Sequence, residues 1–335
     1  CTHGSIATMS KSDPSLPMQG PGDTFGLGLC LDDDTLLGEG PMLEFGAVQP
    51  PVTDAGGAAW FSHGLELLQS AQRAGRSQEE VWNSAVDAFS RCLGSIEAGD
   101  PIQARAYALR AHAMARLGTS DEAISSFKAA LDLDPQSIEA MTGLGCVLAE
   151  SDRPAEAMQY FKMASDARPE SSPLRMTLGS MHWMMGDLDA AIRMFRECVS
   201  LNEGYYAGWV NLGGALASRH EFEAAVDALE HAKAIQPDSR RAYTNLGIAL
   251  GRLKKWDEAA EALQKSIQLD PDIGRSYIVL ALVESCRGND AGALSVLNSC
   301  IERNLLTAKA YHNLGLIHVR LGHLHQAVAA FMDGH

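Results

Sequence analysis

An all-α fold, a solenoid of antiparallel helix pairs behind an N-terminal tail, is what the sequence predicts. Three observations carry it. From Trp60 onward the apolar residues recur at helical spacing, with Gly or Pro punctuation about every 15 residues. The segments ending at Pro135, Pro169, Glu203, Pro237, Pro271 and Leu305 share one 34-residue period, without insertion or deletion. Residues 1–59, in contrast, contain ten Gly and six Pro and only one basic residue, Lys11, against eight acids.

The tail is read from that composition. A segment so rich in Gly and Pro, carrying a net charge of −7, cannot bury enough apolar surface to offset its chain entropy, and disorder is expected over 1–59. Residues 60–103 read as a diverged helix pair capping the array. Ala85, Phe89 and Cys92 echo the register of the later repeats, with four extra residues before Pro101. Repeats then start at 104, 138, 172, 206, 240, 274 and 308, the last of them cut short. The first residue is Cys1 and the seventh repeat stops at His335 without a polar capping helix, so the chain is expected to be a fragment.

Aligned on the 34-residue period, the same side chains return in phase. Positions 7 and 8 read Leu144-Gly145, Leu178-Gly179, Leu212-Gly213, Leu246-Gly247 and Leu314-Gly315. Position 20 is alanine in all seven repeats, from Ala123 to Ala327, and position 24 is Phe or Leu throughout. Large residues dominate position 4, from Tyr107 to Tyr311. Small residues at 8 and 20 let the two helices of a pair approach closely, and the bulky residues at 4 and 24 fill the space beside them. Proline at position 32 stops the second helix. One pair cannot bury its apolar face alone, so the pairs stack.

This pattern resembles the tetratricopeptide repeat (TPR) family over residues 104–335. The resemblance implies a right-handed superhelical solenoid with a concave groove lined by the first helix of each pair. It also implies a protein–protein interaction scaffold rather than an enzyme.

The chain carries 27 Lys+Arg against 42 Asp+Glu, a net charge of −15, which argues against phosphate-backbone binding and hence nucleic acid. No apolar run approaches the length of a membrane span. Seven cysteines lie far apart, never as C-x-x-C; no disulfide framework is expected, and a reducing compartment, cytoplasm or nucleus, is. No nucleophile elbow, phosphate loop or dinucleotide fingerprint occurs. His220-Glu221 starts a zinc-protease motif, but Ala224 stands where the second histidine belongs. His318, His323 and His325 lack a carboxylate at ligand spacing. No catalytic residue, metal or cofactor is expected.

The groove is where charge reverses. Positions 2, 6, 9 and 13 share one face of each first helix. Across seven repeats they hold seven basic residues (Arg105, Arg116, Arg241, Arg252, Arg275, Lys309 and Arg320) and two acids, Glu139 and Glu150. Position 6 adds Asn211, Asn245 and Asn313. An amide both donates and accepts, suiting an extended peptide backbone, while Arg and Lys suit a carboxylate. The expected binding face is therefore Asn211, Arg241, Asn245, Arg252, Arg275, Lys309, Asn313 and Arg320, and the expected ligand an extended or C-terminal anionic peptide.

Two narrower resemblances add alternatives. Trp209 to Gly213, with Arg241, Asn245 and Leu246-Gly247, resembles the last repeats of peroxisomal targeting-signal-1 import receptors. That implies Arg241 and Asn245 at a peptide carboxylate, Asn211 on its backbone, and transient peroxisome association. The position-6 asparagines also resemble the TPR arm of O-GlcNAc transferases, a reading that requires a catalytic domain beyond His335. A third reading is an assembly subunit that docks a folded partner through its outer helices. Repeat six departs from the pattern: Val279 replaces Asn, Glu284 falls in a packing slot, and Leu305 replaces Pro. Glu284 there requires a partner or water.

Overall fold

The computed structural model describes residues 56–74, 79–272, 274–303, 305 and 308–333. The tail expected over 1–59 lies outside the described residues as far as 55, but its last stretch is helical: the first helix starts at Gly57. Sixteen α-helices make up the described residues, with no strand among them. No helix is long and apolar enough to cross a membrane among those residues.

Two compact units divide the chain, one ending at Leu201 and the other starting at Asn202. The first holds α1 (Gly57–Ala74), α2 (Glu79–Ser95), α3 (Pro101–Arg116), α4 (Ser120–Leu133), α5 (Ile138–Glu150), α6 (Pro154–Ala167), α7 (Ser172–Met184) and α8 (Leu188–Leu201). The second holds α9 (Tyr206–Ser218), α10 (Phe222–Ile235), α11 (Arg240–Arg252), α12 (Trp256–Leu269), α13 (Gly274–Cys286), α14 (Asp290–Glu302), α15 (Ala308–Arg320) and α16 (Leu324–Asp333). The helix α3 starts three residues ahead of the repeat start at 104, because Asp100 accepts a hydrogen bond from the Ile102 amide and Pro101 takes the first helical position. Within each unit every helix packs against its successor.

Position 8 sets how closely the pair closes. A Cβ built on Gly179, Gly213 or Gly247 would lie 2.5 Å from the position-24 side chain of the same pair, Phe195, Leu229 or Leu263. Gly145 against Phe161 and Gly315 against Phe331 repeat the arrangement. Where position 8 is not glycine it is alanine, Ala111 and Ala281, fully buried beside Phe127 and Leu297. The leading pair keeps the same contact at a different spacing. There a Cβ on Gly64 would meet the Phe89 ring at 2.7 Å, although the two residues lie farther apart in sequence than Gly179 and Phe195.

The turn between the two helices is equally repetitive. Position 15 has positive φ in all seven repeats: Gly118, Asp152, Gly186, His220, Lys254, Gly288 and Gly322, between 58° and 85°. The residue after it donates its amide to a carbonyl five residues back in each case, as in Arg153 to Leu148 and His323 to His318. This is a left-handed C-terminal cap that satisfies the open carbonyls of the first helix. His220 is thus a turn residue.

Buried polar groups find partners across repeats. Ser266 stands at position 27, where the other full repeats use Ala or Cys, and its hydroxyl lies 2.7 Å from that of Thr244 and 2.9 Å from that of Ser276. Glu284, 5% exposed, accepts from Asn289 Nδ2 at 2.7 Å and from an Arg287 guanidinium nitrogen at 3.2 Å. The departure in repeat six is thereby compensated within the same turn. His112 is one of the buried groups whose ring nitrogen has no such partner. It is 5% exposed, its Nε2 has no hydrogen-bond partner, and burial, aided by Arg116, pushes its imidazole down to about 4.

Two outcomes follow for stability. Lys254→Gly relieves a left-handed lysine and is expected to raise stability by about 1 kcal/mol, read as a higher thermal midpoint. His112 is held neutral in the fold and titrates near 6.5 when unfolded, so acid favours the unfolded chain. Between pH 7 and pH 4 the protein is expected to lose up to about 3 kcal/mol relative to His112→Leu, measured by denaturant titration across that range.

Candidate peptide-binding face

The eight expected binding residues all fall in the second unit, on its odd-numbered helices. Those helices are neighbours in series: α9 packs on α11, α11 on α13, and α13 on α15. Asn211 belongs to α9, Arg241, Asn245 and Arg252 to α11, Arg275 to α13, and Lys309, Asn313 and Arg320 to α15. Successive first helices recur with the repeat period, so equal register positions form rows across the wall.

The rows are not uniform in exposure. Arg241 is exposed, and Asn245, Arg275 and Asn313 are half-buried. Asn211 is only 8% exposed. Val279, fully buried, stands in the asparagine row between Asn245 and Asn313. The Lys309 side chain lies outside the described residues, although its backbone is part of α15. At position 9 the face is apolar in the last three repeats, with Ile248 and Leu282 buried and Leu316 44% exposed.

Arg320 and Arg252 reach neighbouring elements of the scaffold. Arg320 donates to the Ser285 carbonyl and to Asp290 Oδ1, both at 2.8 Å, so its guanidinium ties α15 to the turn between α13 and α14. Asp290 also accepts from the Ser285 hydroxyl at 2.8 Å. Arg252 lies over the Phe222 ring, 5.1 Å from its centre, linking the end of α11 to the start of α10. Register places both among the groove charges, because register alone does not show what a long side chain reaches. A signal is nonetheless present in the sequence: Asp290 precedes Arg320 by the same offset as Phe222 precedes Arg252.

The inner positions of the first unit carry both signs. Glu139 is pushed up from the ordinary carboxylate range by burial, with Arg105 opposing the shift. The corresponding positions of the second unit hold five basic residues and no acid. Among the described residues no three His, Cys, Asp or Glu side chains converge as a metal site. The His318 and His323 rings sit 5.7 Å apart at the last turn. Arg320→Ala is expected to lower stability by no more than about 1 kcal/mol, because the ion pair is half in solvent, while leaving peptide affinity unchanged; thermal melts and polarisation titrations read the two effects separately.

Comparison with known proteins agrees with the helix pairs. The chain matches the tetratricopeptide repeat over residues 66–138, 114–179, 182–247, 241–273 and 308–334. The leading pair is therefore included from residue 66. It is 25% identical to anaphase-promoting complex subunit 3 of Schizosaccharomyces pombe over 148 residues, 44% of this chain and 22% of that protein. It is 27% identical to the BBSome complex member bbs-4 of Caenorhabditis elegans over 121 residues, 36% of this chain and 26% of that one. The chain thus spans about a quarter or less of the length of these curated relatives. A tetratricopeptide repeat protein from Parabacteroides merdae superimposes with a TM-score of 0.59 at 17% identity, covering 69% of this chain and 91% of that one. The APC/C hetero-tetramer Cut9-Hcn1 gives 0.57 at 15% identity, covering 78% and 52%. With the repeat register, the interlocked pairs and these matches in agreement, the chain belongs to the tetratricopeptide repeat family.

Proposed function

We propose that this chain is a protein-interaction scaffold that binds an extended, anionic peptide across α11, α13 and α15. The observation that carries the reading is the recurrence of cations at one register position, Arg241, Arg275 and Lys309, beside the amides of Asn245 and Asn313 on neighbouring helices. An amide that donates and accepts can hold a peptide bond of any sequence, and a neighbouring guanidinium adds a charge-assisted bond to a carboxylate. Arg320 and Arg252 support the wall rather than the ligand in this reading, and Asn211 contributes from a nearly closed position. The acidic total of −15 does not oppose it, because the charge that a bound peptide meets is local.

Specificity for a free C-terminus, as the resemblance to targeting-signal receptors implies, rests on Arg241 and Asn245 alone. A second reading is favoured by the curated relatives, which are named as subunits of multi-protein complexes. In that case the outer helices α10, α12 and α14 dock a folded partner.

The readings separate in one experiment. A library of C-terminal peptides is titrated by fluorescence polarisation against wild type and the Arg241→Ala/Asn245→Ala double variant. Loss of a charge-assisted and a neutral hydrogen bond is expected to weaken binding by about 30-fold or more, with little change in melting temperature. Amidated peptides that bind as well as free acids assign the preference to acidic side chains instead of the terminus. Unchanged affinity in the double variant removes the groove and leaves the outer faces.

A further inference from the structure

The first unit carries one cysteine in a different state from the rest. Cys146, in α5, is disulfide-bonded, whereas Cys92, Cys198, Cys286 and Cys300 are thiols. The chain has seven cysteines, so the second sulfur of that bond belongs to Cys1 or Cys30, both outside the described residues. The wide spacing that argues against a disulfide framework leaves room for a single strap of this kind.

Place and burial set Cys146 apart. Cys92, Cys198 and Cys300 are 0% exposed, and burial raises all three thiols, Cys198 up to about 12, so they stay protonated and inert. Cys146 holds position 9 instead, on the inner side of α5, and is 7% exposed. A cavity of about 470 Å³ opens beside it, lined by Arg116 and Val147 among others. An incoming chain segment thus finds room, an apolar wall and a cation close to the sulfur.

The sequence chooses between the two remaining cysteines. Cys30 lies in the run Phe25-Gly26-Leu27-Gly28-Leu29-Cys30-Leu31, directly followed by Asp32, Asp33 and Asp34. Its leucines suit Val147, and its carboxylates suit Arg116. Cys1, followed by Thr2, His3 and Gly4, offers neither. The reach also fits. The 26 residues from Cys30 to Gly56 span roughly 30 Å as a coil. Helix α1 packs on α3 and α3 on α5, and two helix spacings are about 20 Å. A tether matched to its span gives an effective concentration on the order of millimolar, which favours closure within one chain over a link between two copies.

We infer that Cys30 and Cys146 form a reversible disulfide that straps residues 25–34 across the inner side of α3 and α5, closing that wall when oxidised and baring it when reduced. The oxidant is a low-molecular-weight disulfide, oxidised glutathione. The Cys30 thiolate attacks one of its sulfurs and releases one glutathione thiolate; the Cys146 thiolate then attacks the Cys30 sulfur and releases the second. Two electrons pass from the protein sulfurs to the glutathione pair, and the two protein protons end on the released thiols. The strap belongs to the first unit and stands independently of the peptide face in the second.

For the test, the full chain is equilibrated with reduced or with oxidised glutathione, denatured, and alkylated with N-ethylmaleimide for mass spectrometry. Two fewer of its seven cysteines are expected to take the label in the oxidised sample, on a monomer, with a peptide map that joins Cys30 to Cys146. Hydrogen exchange over residues 25–34 is expected to slow at least tenfold on oxidation. Cys30→Ser, a change ahead of α1, abolishes both effects, Cys146→Ala does the same, and Cys1→Ser leaves them intact. Full labelling after oxidation, glutathione adducts alone, a bond from Cys146 to Cys1, a link between two copies, or equally fast exchange in both samples overturns the inference.

Discussion

One steric pairing underlies everything else in this molecule: the absence of a side chain at position 8 and the bulk of position 24. A glycine whose missing Cβ would lie 2.5 Å from the facing Leu or Phe fixes the separation of the two helices in each pair. Any larger residue forces the ring or the helix to move, at a cost typical of overpacked cores. The alanines at position 20, all essentially without exposure where they lie in the core, hold the same separation one turn away. With the pair spacing fixed, the direction in which the first helix presents its outer positions is fixed too. The rows of Asn and Arg on α11, α13 and α15 exist because that spacing recurs.

Much of this was legible in the sequence because it is periodic. The constant repeat length, Gly145 through Gly315 and Ala123 through Ala327 return in phase, and a pattern that repeats seven times overrides the ambiguity of any single helix. What escaped was conformational or long-range. The left-handed turn at position 15 is glycine in only four repeats, so Asp152, His220 and Lys254 conceal it. The leading pair hides its glycine because Gly64 and Phe89 are out of step with the spacing of the later repeats. The roles of Arg320 and Arg252 depend on where a flexible side chain ends, which register does not encode.

The same register positions thus serve two purposes. At position 13, Arg252 and Arg320 bind back to neighbouring helices, whereas Arg116, at the equivalent place in α3, stacks on Trp82 and borders a cavity. At position 6, asparagine in α11 and α15 gives way to valine in α13 and glycine in α5. Small substitutions on an invariant frame change which part of the inner wall is polar, apolar or hollow. Nearest-neighbour stacking permits this, because an inner-face change disturbs at most the adjoining pair.

The interlock also has a consequence for how such a chain is inherited. Inside the array, each position-24 side chain must reach the glycine or alanine of its own pair, and each cap must fall on position 15. A gain or loss of one or two residues within a helix breaks both at once. Duplication or loss of a whole repeat unit breaks neither, so a complete helix pair is the unit by which the array can lengthen or shorten without strain. Novelty then enters by editing the copies, as at Gly143, one inner-face residue at a time.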